Sequence, residues 1–158
     1  IYKSINSSNH EFTKLLEKPG KLERFAKILK GELFCSQINN HIVKGFDLES
    51  NGSYKSEYVE GYRLDLLSII INKFPSLNLI SSSKLEKLIQ QCKILIEALQ
   101  DAELRGELCG DWALHNLVYS ITYEKIFNID LEGFMTYDPI PEWANLTKII
   151  QWIHILGE

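Results

Sequence analysis

The amino-acid sequence predicts a fold of the α+β class, with a small antiparallel sheet near the N-terminus and helices in most of the remainder. Apolar residues recur at helical spacing in several segments, the longest running from Lys84 to about Leu104. Two pairs of β-rich runs are instead joined by short polar turns, a pattern typical of hairpins. With 158 residues, the chain is long enough for one domain with a substantial core.

The first elements follow from helical periodicity and its interruptions. Residues 1 to 5 predict a short strand, and residues 9 to 18 predict a helix that Pro19-Gly20 ends. A second helix is expected from Lys21 to about Ile38, with Gly31 as a weak point inside it.

A first hairpin is predicted in the middle of the N-terminal half. Its strands are His41–Leu48 and Tyr54–Val59, and Asn51-Gly52 between them is the strongest short signal for a hairpin turn. A short apolar helix follows from Leu64 to Phe74, where Pro75 stops it. The long helix from Lys84 then carries a continuous apolar stripe, and we expect it to support the loop that follows.

A second hairpin predicts where three polar side chains meet. Its apolar strands occupy residues 117–119 and 126–129, with Asn116 just before the first and Asp130 just after the second. Because a hairpin brings its two ends together, Asn116 and Asp130 are expected side by side, and Asp111 on the preceding loop can face the same point. Amide and carboxylate oxygens are hard ligands of the kind that Mg²⁺ prefers. Turn formation alone also explains isolated Asp and Asn residues.

The stretch Cys109–Gly133 resembles the catalytic loop and metal-binding turn of the protein-kinase-like superfamily. It is most similar to the aminoglycoside and choline phosphotransferase type, with its H-G-D-x-x-x-x-N and D-x-E/D elements. The resemblance implies that Asp111 is the catalytic residue and that Asn116 and Asp130 bind the metal. Glu132 is either a further metal ligand or a residue that orients the turn. Cys109 stands where the family usually has His.

The same resemblance implies a nucleotide site in the N-terminal half. Lys3 either binds the α- and β-phosphates of ATP or is an ordinary lysine of a terminal strand. Of the glutamates that could pair with it, Glu32 is favoured by the run that follows it. The segment of about residues 57 to 64, which begins Glu57-Tyr58-Val59-Glu60-Gly61, resembles the hinge, where the backbone at Glu57 and Val59 would pair with adenine. No glycine-rich loop precedes Lys3 in this sequence.

The resemblance also implies a two-lobe organisation. Residues 1–60 would form a partial N-terminal lobe, and residues 61–158 a reduced helical C-terminal lobe whose last helix follows Pro141. The implied function is transfer of phosphate from ATP, with Mg²⁺, to a hydroxyl of an unknown acceptor. The alternatives are a pseudokinase that binds or regulates a protein partner without catalysis, and a helical interaction module whose acidic turns are merely turns.

Composition excludes several other functions. The chain is 45% hydrophobic and 24% charged with a net charge of −4, and it has no Lys/Arg cluster free of interspersed acids, so we expect no nucleic-acid partner. The longest apolar run, Leu66–Ile71, is interrupted by Ser68 and is too short to cross a membrane. Three cysteines without metal or pairing spacing favour a reducing, cytoplasmic setting.

Overall fold

A computed structural model describes residues 2–3, 10–34, 36–73 and 82–136 of the chain. These residues form helices and two small antiparallel sheets, which confirms the α+β class. In chain order the elements are β1 (Tyr2–Lys3), α1 (His10–Glu17), α2 (Lys21–Lys30), α3 (Ser36–Asn39), β2 (Gly45–Phe46), β3 (Tyr54–Ser56), β4 (Gly61–Arg63), α4 (Leu64–Lys73), α5 (Ser82–Leu104), β5 (Leu117–Ser120), β6 (Ile126–Asn128) and α6 (Gly133–Thr136).

The first sheet has the order β1–β3–β2, with both pairs antiparallel. This confirms the N-terminal sheet and its hairpin, but the strands His41–Leu48 and Tyr54–Val59 were predicted too long. β2 ends where Asp47 adopts a left-handed φ of 54°. Before β2, Val43 donates its backbone N–H to the carbonyl of Asn128 at 3.2 Å, so this segment lies against β6 and does not extend the hairpin strand.

The predicted helix from Lys21 to Ile38 is wrong in its second half. Gly31 takes a left-handed conformation with φ 73° and closes α2, and its backbone N–H donates to the carbonyl of Ile28. A separate short helix, α3, begins only at Ser36.

The second sheet has the order β4–β5–β6 and contains the predicted hairpin. Leu117 pairs with Asn128 in the register, so the two ends of the hairpin meet as expected. β4 was not predicted, because it lies in the segment interpreted as the hinge. Gly61 pairs with Ser120, and a side chain at Gly61 would overlap the backbone of Tyr119.

Helix α5 lies in the core, as its apolar stripe predicts. Leu88, Cys92, Leu95 and Leu99 are almost fully buried, in the same cluster as Trp112. Burying a large apolar side chain contributes roughly 1.5–3 kcal/mol, so this helix is a firm support for the loop after it. The chain leaves α5 through Gly106, which has a left-handed φ of 69°.

Aromatic pairs connect the N-terminal half of the chain to this core. The ring of Phe25 lies 5.1 Å from that of Phe12 and 5.2 Å from that of Tyr54, both edge to face. Farther along, the ring of Phe134 lies 5.6 Å from that of Phe34. The hydrophobic cluster therefore includes residues from both predicted lobes.

The helix predicted after Pro141 and the end of the predicted helix at Phe74 lie outside the described residues. Among the helices that the structure does describe, none is both long and apolar enough to cross a membrane.

Candidate functional site

The loop that carries Asp111 is fixed by a buried indole. Trp112 is 1% exposed, and its Nε1 donates to the backbone carbonyl of Cys109 at 2.8 Å. The rings of Trp112 and Phe134 pack edge to face, with their centroids 5.6 Å apart. Gly110, with φ 97°, lies so close to Phe134 that a Cβ would overlap the ring. Glycine before Asp111 thus serves both the turn and the close packing.

A short 3₁₀ turn brings Asn116 back to Asp111. The Asn116 backbone N–H donates to the carbonyl of Ala113 at 2.9 Å, and its Nδ2 donates to the backbone carbonyl of Asp111 at 3.2 Å. The Asp111 carboxylate accepts the Ala113 backbone N–H at 3.2 Å. The five-residue spacing between Asp111 and Asn116 is therefore the spacing of a closed turn.

The hairpin then places Asp130 beside Asn116, as predicted. Asn116 Nδ2 lies 3.4 Å from Asp130 Oδ2, at the long end of hydrogen bonding, and Ile129 donates its backbone N–H to the Asn116 carbonyl at 2.9 Å. Asp130 Oδ1 accepts the Gly133 backbone N–H at 3.3 Å. A Cβ at Gly133 would lie 2.6 Å from Asp130 Oδ2, so a larger residue there would displace this carboxylate.

Asn128 is a site residue that the sequence reasoning missed. It is fully buried, and its Nδ2 donates to the Asp111 carbonyl at 3.1 Å while its Oδ1 accepts the Asp130 backbone N–H at 2.9 Å. Its own backbone N–H donates to the carbonyl of His41 at 2.7 Å. One amide thus joins the loop of Asp111 to the turn of Asp130. The available signal was an amide in the otherwise apolar run of residues 126–129.

Tyr54 brings the first sheet close to the same turn. Tyr54 is 2% exposed, and burial together with the carboxylates of Glu132 and Asp130 raises the pKa of its hydroxyl. Tyr54, on the first sheet, therefore lies near the acidic turn that carries Glu132, which was predicted to bind metal or to orient the turn.

The donor set fits a metal shared with a ligand better than a metal enclosed by protein. Among the residues described, no three His, Cys, Asp or Glu side chains form a group that could hold a metal ion. Asp130 and Glu132 provide carboxylates two positions apart, and Asn116 adds an amide. Mg²⁺ usually keeps several waters and takes one or two carboxylates plus substrate phosphates. Two carboxylates and an amide could therefore hold Mg²⁺ only together with waters or with oxygens of a substrate.

The residues predicted to contact the nucleotide are not joined to the site as closely as Asp111, Asn116 and Asp130 are joined to one another. Lys3 lies opposite Tyr54 in the register of the first sheet. Glu32 is exposed and follows the end of α2, so it does not lie on the helix predicted to carry it. Glu57 is exposed and Val59 half-buried. Across the described part of the chain, no side-chain hydrogen bond or ion pair joins Glu32, Glu57 or Val59 to Asp111, Asn116 or Asp130.

The predicted hinge does line a cleft. Residues 57–60 connect β3 to β4 and border a space of about 260 Å³ together with Val43, Tyr123 and Phe127. The backbone N–H of Glu57 donates to the carbonyl of Lys44 at 2.9 Å, and Ile121 donates its backbone N–H to the carbonyl of Glu60 at 3.0 Å. These two hinge groups are thus already paired within the fold.

Compared with known proteins, the chain matches no family model, no curated protein and no solved structure. Its function is therefore inferred from the geometry of the site.

Proposed function

We propose that this chain is an ATP- and Mg²⁺-dependent phosphotransferase of the kinase-like type, acting on the hydroxyl of an acceptor. The observation that carries the proposal is the convergence of Asp111, Asn116 and Asp130, three residues from two loops, joined through the Asn116 side chain. A turn-forming role accounts for the bond between Asp111 and Ala113, but it does not require the contact between Asn116 and Asp130.

Each residue has a role in this scheme. Asp111 orients the acceptor hydroxyl and accepts its proton, while Asn116 and Asp130, with Glu132 beside them, hold the metal. Mg²⁺ supplies charge neutralisation on the phosphates when it is bound. Lys3 adds a positive charge from β1. Such catalysis depends mostly on positioning and charge stabilisation, which a loop fixed by buried aromatic rings favours.

A kinase-like two-lobe arrangement is part of the proposal. The first sheet precedes the segment 57–60, and most helical residues and the hairpin follow it. The register of Lys3 with Tyr54, whose pKa is raised by the nearby carboxylates of Glu132 and Asp130, supports a position of β1 close to the acidic turn. We also propose a cytoplasmic setting, where ATP is available and the buried thiols of Cys92 and Cys109 stay reduced.

A second candidate is a pseudokinase that binds a nucleotide or a protein partner without catalysis. Cys109, in place of the usual His, favours it, and so does the exposed position of Glu32 beyond α2. The two candidates share the fold and differ in whether phosphate is transferred.

The test is calorimetric titration of ATP into the protein, with and without Mg²⁺. We expect binding that requires Mg²⁺ and is lost in Asp130→Ala, with Asp101→Ala on the exposed face of α5 as a control that binds normally. Where transfer to a hydroxylated acceptor is detected, Asp111→Asn should lower kcat about 10²- to 10⁴-fold while binding persists.

Three results have different meanings in this test. Mg²⁺-dependent ATP binding that survives Asp130→Ala would contradict the assigned metal site. Binding without transfer to any of a panel of hydroxylated acceptors would favour the pseudokinase. No binding by a protein shown to be folded would reject the phosphotransferase and direct the search to a protein partner.

A further inference from the structure

A cleft of about 430 Å³ lies between α3 and α5, and none of the residues that line it belongs to the acidic loops. One wall of this α3–α5 cleft is a single face of α5, formed by Ile94, Glu97, Ala98 and Asp101. The other wall comes from α3 and the two residues after it, of which the second is His41. With a helix rise of 1.5 Å per residue, the α5 wall is about 10 Å long, so the cleft suits an elongated small molecule.

His41 presents a hydrogen-bond acceptor to this cleft. The residue is only 5% exposed, and its Nδ1 donates to the Ile126 carbonyl at 2.9 Å. Within the described residues Nε2 forms no hydrogen bond, yet it is not one of the unpaired atoms fully shielded from solvent. Because His41 lines the cleft, the accessible edge of its ring faces that space. Burial lowers the pKa of His41, against the effect of the Ile126 hydrogen bond, so the ring is neutral at neutral pH and Nε2 accepts.

The α5 wall adds one available carboxylate and an apolar surface. Glu97 is exposed, and across the described ranges its side chain has no ion pair or hydrogen bond, whereas Asp101 already pairs with Arg105 at 3.6 Å. Ile94 and Ala98 provide apolar surface on the same wall. No three His, Cys, Asp or Glu side chains of the described chain could together hold a metal ion, here or elsewhere. A carboxylate, a neutral imidazole and an apolar wall are instead complementary to an organic cation.

We propose that the α3–α5 cleft binds a small aliphatic amine, whose ammonium group pairs with Glu97 and whose second N–H donor bonds Nε2 of His41. The alkyl chain between these two groups packs on Ile94 and Ala98. The site is separate from the one proposed for phosphate transfer, and it does not depend on that activity.

The experiment is an NMR titration of the isotope-labelled protein with three probes that share a four-carbon chain. Putrescine has an amine at each end, butylamine has one amine, and the linear butanediol has a hydroxyl at each end and no charge. The side-chain amides of Gln37 and Asn40, which line the cleft, report its occupancy. We expect putrescine to bind with a dissociation constant on the order of 1 mM, because so small a ligand gains limited binding energy. Butylamine should bind more weakly, and butanediol should not bind.

Two variants test the two contacts separately. Glu97→Gln removes the charge and should raise the dissociation constants of both amines about fivefold. Glu103→Gln, at an exposed glutamate of the same helix outside the cleft, is the matched control and should leave both constants unchanged. His41→Asn keeps a side-chain N–H near the Ile126 carbonyl but removes Nε2. It should weaken putrescine about threefold or more and leave butylamine unchanged.

The inference would be overturned if about 10 mM putrescine left the amides of Gln37 and Asn40 unshifted, or if butanediol bound as well as putrescine. Equal weakening by Glu97→Gln and Glu103→Gln would also overturn it, because the protein's overall charge would then explain the binding. Weakening of putrescine and butylamine by the same factor in His41→Asn would reject the contact with Nε2. If His41→Asn does not fold, tighter binding of putrescine than of butylamine supports the second contact, and equal binding rejects it.

Discussion

The acidic loops and the segment of residues 57–60, proposed as the hinge, are held by different kinds of contact. In the loops around Asp111 and Asp130, side chains form hydrogen bonds with backbone groups of other segments. The amides of Asn116 and Asn128 both donate to the Asp111 carbonyl, and Asn128 also accepts the Asp130 N–H. At the hinge, the described bonds of Glu57 run from backbone to backbone, and its side chain is exposed. The sequence therefore carries much information about the first region and little about the second, since backbone contacts leave no residue signature.

This difference predicts where substitutions matter. A side chain that joins two loops cannot be replaced without leaving buried groups unpaired, which costs far more than an average bond contributes. An exposed side chain on a segment held by its backbone can change with little effect. The predictions below test this contrast, beginning with the largest effect.

The largest effect on stability is expected at Asn128. Asn128→Ala removes the hydrogen bond that the Asp130 N–H donates and one of the two that the Asp111 carbonyl accepts, the other coming from Asn116, and it opens space in the core. We expect the free energy of unfolding to fall by about 2–5 kcal/mol, measured by urea denaturation. Asn40→Ala, at an exposed asparagine, is the control and should change stability by less than about 0.5 kcal/mol.

Asn128→Ala can also separate stability from local positioning. At a temperature where the variant remains folded, Mg²⁺-dependent ATP binding should still be weaker than in wild type, because Asp111 and Asp130 have lost their shared partner. If the free energy of unfolding fell by less than about 1 kcal/mol, the loss would be smaller than the cost of one unsatisfied buried group in many proteins. Such a result would show that water or neighbouring groups replace the amide.

The second hairpin shows what the sequence can predict. Two apolar runs, a polar turn and flanking polar residues sufficed to place Asn116 beside Asp130, because hairpin geometry is local. Asn128 was missed because its partner Asp111 lies 17 residues away. β4 was missed for the same reason, since its partner β5 comes only after α4 and α5. Contacts between distant segments depend on packing that periodicity does not encode.

Helix α2 shows the opposite error, in which a local signal was underweighted. The apolar stripe continues past Gly31, so periodicity alone predicted one helix to Ile38. The left-handed conformation at Gly31 ends the helix at once. As a result Glu32 lies beyond α2 and is exposed, although the prediction placed it on the helix facing Lys3.

A smaller, pH-dependent effect is expected at His41, which attaches the N-terminal segment to β6. Its Nδ1 lies 2.9 Å from the Ile126 carbonyl, and because a carbonyl only accepts, Nδ1 carries the proton. Burial lowers the pKa of His41 below its usual value of 6.5, against the opposing effect of this hydrogen bond and with a small contribution from Lys125. The folded protein therefore binds fewer protons than the unfolded chain just below pH 6.5.

Stability should consequently be greatest above pH 6.5 and decrease as the pH falls from there toward the folded pKa of His41. The decrease from one such group is at most about 1.4 kcal/mol per pH unit. Urea unfolding at several pH values between 7.5 and 5.5 measures it, a range chosen above the usual carboxylate titrations. His41→Gln should flatten the dependence, whereas the exposed His115→Gln should retain it; equal slopes in all three proteins would contradict this account.

The smallest effect is expected at the hinge, where Glu57→Ala should change the free energy of unfolding by less than about 0.5 kcal/mol. ATP affinity should change by less than about twofold, because exposed, screened side chains contribute little and the proposed adenine contacts belong to the backbone. Glu57→Pro is the informative partner. It removes the N–H that donates to Lys44 at 2.9 Å, and should cost about 1 kcal/mol or more. If Glu57→Ala instead abolished ATP binding as completely as Asp130→Ala, the hinge would act through its side chain, and the contrast between the two regions would fail.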